Sequence, residues 1–134
     1  MKFNSLVPEL YVFDFQKSLN FYTKTLDFKI EYQRENPSFA FLSYQGSQLM
    51  IELNNNDAKD WHTGKFEYPL GRGINFQIRT DNAQEVVDRL ISANYPLKRA
   101  LKDSYYKVTD RLHGYRQFLV MDPDGYLLRF SQPL

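Results

Sequence analysis

One order of elements occurs twice along this chain, and that duplication constrains the fold more than any single motif. The first copy opens with an extended stretch from Leu6 to Phe13. Within it Leu10 and Val12 alternate with Glu9, Tyr11 and Phe13, the pattern of a half-buried strand. Asp14 then stands where a cap belongs, before a helix over Phe15 to Leu26. The apolar residues Leu19, Phe21, Tyr22 and Leu26 recur near helical spacing. Phe28 to Gln33 reads as a strand. Phe39 to Tyr44, the turn Gln45-Gly46-Ser47, and Leu49 to Leu53 read as a hairpin.

The second copy repeats the order. Ile74 to Thr80 is a strand in which Ile74, Phe76 and Ile78 alternate with Asn75, Gln77 and Arg79. Asp81 or Asn82 caps a helix carrying Val86, Val87, Leu90 and Ile91, which Asn94 or Tyr95 ends before Pro96. Leu97 to Leu101 and Tyr105 to Val108 are strand pieces. Phe118 to Met121, the turn Asp122-Pro123-Asp124-Gly125, and Tyr126 to Phe130 form a last hairpin, with turn residues of known mechanism.

The expected fold is therefore α+β, with tandem βαβββ modules forming a curved mixed sheet and helices on its outer face. Module one covers about 1–54, a linker about 55–72, and module two about 73–134 of a single domain. Neither module easily buries a core alone, so the two are expected to share one. The linker region runs from Asn54 to Gly73 and carries Trp61, Phe66 and Tyr68 between turn residues. Long loops with aromatics are more often functional or ordered than passive.

Composition excludes several classes. The absence of Cys removes disulfides, thiolate metal sites and cysteine nucleophiles. Lys plus Arg number 17 and Asp plus Glu 16, a balance that argues against nucleic-acid binding. No apolar run approaches the roughly 20 residues of a membrane span, and the N-terminus lacks the apolar centre of a signal peptide. A soluble, cytoplasmic protein with no membrane partner is expected.

The duplicated order, with Leu10-Tyr11-Val12-Phe13-Asp14, Ser18-Leu19-Asn20-Phe21-Tyr22 and Leu26-Asp27-Phe28, resembles the vicinal-oxygen-chelate superfamily. That superfamily includes glyoxalases, extradiol dioxygenases, fosfomycin-resistance enzymes and bleomycin-resistance proteins. Leu49-Met50-Ile51-Glu52 and Asp122-Pro123-Asp124-Gly125-Tyr126-Leu127-Leu128-Arg129-Phe130 carry the rest of the resemblance. These two runs look most like the bleomycin-resistance branch. The family usually has Gly where Asp27 stands.

The resemblance implies four metal-ligand positions, two per module, in the enzymes of the superfamily. They fall here on Val7, Glu52, Asn75 and Arg129. Only Glu52 suits a divalent ion; Val7 cannot coordinate, Asn75 is a weak ligand and Arg129 adds positive charge. No metal and no cofactor are expected, and the chain is more readily a binding protein than an enzyme. Strand alternation puts Met50, Glu52 and Asn54, and likewise Leu127, Arg129 and Ser131, on the face away from the helices.

The candidate ligand-binding residues are Glu9, Tyr11, Glu52, Trp61, Asn75, Gln77 and Arg129. Asn75 and Gln77 share one face, and Trp61 offers an aromatic surface for a flat ligand. Glu52 and Arg129 either bind a polar ligand or form a structural ion pair. Of Tyr105 and Tyr106, adjacent on a strand, only one can line a site. His62, in the loop, and His113, near a turn before Gly114, have no ligand-like partner at i+4 and read as exposed or capping residues. Lys98, Lys107, Arg111 and Arg116 read as a solvated face.

The bleomycin-resistance resemblance implies a homodimer that sequesters a small molecule, aromatic or a bleomycin-like antibiotic, without making or breaking bonds. Near-neutral charge weighs against the cationic drug itself. Two alternatives are a metal-dependent glyoxalase-like lyase, isomerase or dioxygenase using Glu52, and a protein interaction module.

Overall fold

The computed structural model describes residues 2–134. The chain divides into two units, one ending at Leu70 and one running Gly71–Leu134. Each carries its own four-stranded mixed sheet, in the expected βαβββ order.

In the first unit, β1 (Glu9–Val12), β2 (Lys29–Arg34), β3 (Phe39–Tyr44) and β4 (Ser47–Leu53) lie in the order β1-β4-β3-β2. β1 runs parallel to β4, and β2, β3 and β4 are antiparallel neighbours. The β3–β4 turn holds Gln45 at φ 45° and Gly46 at φ 89°, both left-handed as a two-residue hairpin loop requires. Asp14 caps the helix α1 (Phe15–Asn20) by accepting a 3.1 Å bond from the Lys17 amide. From Phe21 the coil widens into a π-turn through Thr25, shortening the α-helix expected to reach Leu26. Asp27 follows at φ 69°, the left-handed position that explains the family's usual glycine. α1 packs on β4. Leu10, Val12, Leu49 and Ile51 are buried, as the alternation requires.

In the second unit, β5 (Asn75–Arg79), β6 (Arg99–Val108), β7 (Arg111–Met121) and β8 (Leu127–Pro133) take the equivalent order β5-β8-β7-β6. Asn82 caps α2 (Ala83–Ser92) through a bond from the Glu85 amide. The buried α2 residues Ala83, Val86, Val87 and Leu90 cover the sheet face that carries Ile78, Phe118, Val120, Leu128 and Phe130. The Phe118 and Phe130 rings stack at 5.3 Å, and burying each contributes about 1.5–3 kcal/mol. The turn before β8 is locked by the Asp122 carboxylate, which accepts from the Asp124 and Tyr126 amides at 2.9 Å each.

Three expectations need correction. The two strand pieces at 97–108 are one strand, interrupted by an irregularity between Arg99 and Lys102. β7 begins at Arg111, not Phe118, so His113 lies within a strand opposite Tyr106. Much of the expected linker belongs to the first unit, where Asn56–Trp61 form a 3₁₀ helix and Phe13 packs on Phe66 at 4.6 Å.

Candidate functional site

Strand register places the candidate residues in corresponding rows of the two sheets. In the first unit one row runs Tyr11, Glu52, Phe39, Arg34 across β1, β4, β3 and β2. In the second it runs Gln77, Arg129, Leu119, Arg99 across β5, β8, β7 and β6. Residues directly opposite share a face. A carboxylate thus occupies the central position of one row and a guanidinium that of the other. Each row ends in an arginine on the outer strand.

The first row is an acidic, aromatic cluster. Tyr11 is 7% exposed, and its hydroxyl is hydrogen-bonded to Glu52 and Glu9. Desolvation, then the two carboxylates, push the phenol far above its ordinary ionisation range. Glu9 is also raised, by desolvation first and then by the charge of Glu52, with Tyr11 and Arg34 opposing. The Tyr11 proton therefore lies between two acids that repel each other. His62 meets the Tyr11 ring edge-on at 4.9 Å and stacks on Phe66. Its Nε2 lies 2.8 Å from Oδ1 of the Asn54 side chain, so the loop histidine is built into the wall of this unit. A cavity of about 360 Å³ opens there, bordered by Asn54, Lys59, His62 and Phe66. At the far end of the row Arg34 lies over the Phe39 ring at 4.0 Å.

The second row is basic. A pocket of about 170 Å³ is lined by Arg99, Lys102, Ser104, Tyr106, Gln117 and Arg129, over Phe118 and Leu119. The Arg129 Nε is buried without a hydrogen-bond partner. Gln117 donates to Ser131 Oγ at 3.0 Å. Asn75 and Gln77 are exposed on β5.

The structure thus brings Glu9, Tyr11 and Glu52 together in one unit, and sets Gln77 beside Arg129 in the other. Asn75 pairs with Leu127, two residues before the Gln77–Arg129 pair along β5 and β8. Trp61 is 72% exposed and borders neither cavity. Tyr106 lines the basic pocket while Tyr105, on the opposite face, lies against Gly114, as alternation demands. The candidate residues drawn from the sequence did not include Arg34, Arg99, Lys102 and Ser104. Arg34 and Arg99 were discoverable only through register, whereas Asn54 already shared a face with Glu52 by alternation.

The donor set does not fit the divalent ion of the superfamily's enzymes. Val7 precedes β1 and carries no donor. Tyr11 is held protonated against both carboxylates, and the fourth position is the cation Arg129. Among the described residues no group of three His, Asp or Glu is placed to hold a metal. What the rows offer instead is hydrogen-bond acceptors and negative charge in the first unit, and donors with positive charge in the second. No helix among the described residues is long and apolar enough to cross a membrane.

The sequence model of the Glyoxalase/Bleomycin resistance protein/Dioxygenase superfamily matches residues 2–130. Over 87 residues the chain is 34% identical to lactoylglutathione lyase of Shigella flexneri, a stretch covering 60% of this chain and 61% of that protein. The chain thus matches about three fifths of that relative's length. TioX from Micromonospora sp. ML1 shares the fold with a TM-score of 0.70 at 19% identity, covering 98% of this chain and 99% of that one. The fosfomycin resistance protein FosX from Listeria monocytogenes superposes with a TM-score of 0.62 at 17% identity, covering 97% and 91%.

Proposed function

The chain belongs to the glyoxalase/bleomycin resistance/dioxygenase superfamily, and we propose that it is a metal-independent member that binds a small molecule without transforming it. The observation that carries this reading is Arg129. A guanidinium occupies the register position at which the first sheet has Glu52, so the fixed charge there repels a cation. Each row offers its own contacts to a ligand: in the first unit Glu9, Tyr11 and Glu52 would accept hydrogen bonds, and in the second unit Asn75, Gln77 and Arg129 would donate them. Trp61 would report binding through its fluorescence, as a contact or as a neighbour. A homodimeric, cytoplasmic, sequestering protein of the bleomycin-resistance kind is the form proposed, with antibiotic resistance as one outcome of capture.

The test is a screen of planar heteroaromatic compounds by Trp61 fluorescence, with chelator present throughout. Saturable quenching, weakened in Glu52→Gln or Arg129→Gln and with the compound recovered unchanged, supports the reading. Binding that requires added metal sinks it. Light scattering over a concentration series tests the dimer, which a monomer at every concentration contradicts.

A second reading is an enzyme that uses Glu52, a lyase, isomerase or dioxygenase. It is favoured by the identity to a lactoylglutathione lyase and by the paired carboxylates around the Tyr11 proton. Metal-dependent turnover lost in Glu52→Gln would establish it.

A further inference from the structure

We infer that the pocket of the second sheet is a subsite for an anionic oxygen head group, phosphoryl or carboxylate, lying over Leu119 between Arg99, Lys102 and Arg129. This deepens the binding reading and rests on it, since it names the charge of the ligand. Three cations line the pocket and no carboxylate does. Ser104 and Tyr106 add hydroxyl donors at its border. At about 170 Å³ the pocket holds several times the roughly 30 Å³ share of one water, enough for a head group with part of its hydration.

Two further features point to a ligand. First, the cations are unneutralised. Arg129, Arg99 and Lys102 take part in no ion pair among the described residues, and the Arg129 Nε is buried without a partner. Asp103 is adjacent in sequence but points away by alternation. It is bound by Arg116 through bonds of 2.8 and 3.1 Å. A buried Nε–H lacking an acceptor is costly, and an oxyanion supplies two acceptors in the geometry arginine prefers.

Second, a register shift in β6 gathers these charges on one face. Arg99 faces Leu119 and Lys102 faces Gln117, so three steps along β6 match two along β7. Regular alternation would send Arg99 and Lys102 to opposite faces. The one-residue bulge returns both to the pocket face, and bulges commonly re-aim side chains at sites. Arg99 and Arg129 then flank Leu119 from either side, about 10 Å apart at the backbone by strand spacing.

The experiment is a titration of the full chain, labelled with nitrogen-15, with sodium phosphate and separately with sodium acetate, ionic strength held constant. The expected result is saturable amide shifts confined to β6, β7 and β8 around the pocket. Arg129→Gln should weaken binding about tenfold or more, and Lys102→Gln about two- to fivefold. Lys102 is exposed, so its variant keeps the test alive should Arg129→Gln fail to fold. The anion that saturates at lower concentration identifies the head group. Shifts that grow linearly and scatter over the surface overturn the inference. So does saturable binding that neither substitution weakens. An uncharged heteroaromatic that binds wild type and Arg129→Gln equally, with no phosphate or acetate saturation, overturns the anion subsite and leaves the binding reading standing. Anion saturation in a protein that retains no organic compound supports the subsite and contradicts that reading.

Discussion

Tyr11→Phe removes one hydroxyl from the acidic row and leaves the ring in place, including its edge contact with His62 at 4.9 Å. The lost group is bonded to Glu52 and Glu9 and is nearly excluded from water. A hydrogen bond to a charged group contributes about 1.5–3 kcal/mol. Glu9 is solvent-exposed, which screens its share, so the expected loss is about 1–2 kcal/mol. Urea unfolding followed by circular dichroism measures it. A double-mutant cycle with Glu52→Gln isolates the pair, and the expected coupling is at least about 0.5 kcal/mol. Alkaline titration adds an independent reading. The phenol ionises near 10 in the unfolded chain but is held protonated in the fold. Above pH 10 the unfolded state therefore gains charge first, and wild type loses stability that Tyr11→Phe does not. Additive losses in the cycle, together with identical alkaline profiles, would refute the reasoning that Tyr11 binds the two carboxylates.

Three other predictions concern the same elements. Glu9 is raised above 4.5 in the fold, so stability falls as pH climbs from that value until the folded carboxyl also ionises. Glu9→Gln should flatten that acid-side decline in a series of denaturant midpoints, and an unchanged slope would show Glu9 to be unperturbed. Asp27 adopts φ 69°, so Asp27→Gly is expected to stabilise by up to about 1 kcal/mol, and a loss on unfolding would contradict the strain. Gly71 and Gly46 both have positive φ, but a Cβ at Gly71 would lie 2.6 Å from the Tyr126 ring while one at Gly46 meets open space. Gly46→Ala should cost about 1 kcal/mol and Gly71→Ala more; equal losses would dismiss the steric account.

Local signals were enough to read the repeated module. Asp14 and Asn82 cap the helices as their side-chain chemistry suggests, and Leu10, Val12, Leu128 and Phe130 are buried on the alternation visible in the sequence. What escaped was non-local. Tyr105 to Leu112 carries few core residues, because both arms of that hairpin are largely exposed, so apolar periodicity gave no sign of a continuous strand through His113. The π-turn after Asn20 leaves Leu26 buried just as an α-helix would, so the spacing of apolar residues could not expose it. The site was half legible. Glu9 and Tyr11 followed from alternation along one strand, and Glu52 from the family resemblance with alternation in agreement; that the two strands are neighbours came from the structure. Arg99 was hidden because a bulge reverses its face, and that shift depends on the partner strand rather than on β6 alone.

The central claim is that this member of the superfamily binds its ligand without a metal, and calorimetry of chelator-treated protein titrated with nickel, zinc, manganese and iron(II) addresses it most directly. No stoichiometric binding is expected, in wild type or in Glu52→Gln. Stoichiometric binding of any of the four that disappears in Glu52→Gln would contradict it and bring the lyase reading forward.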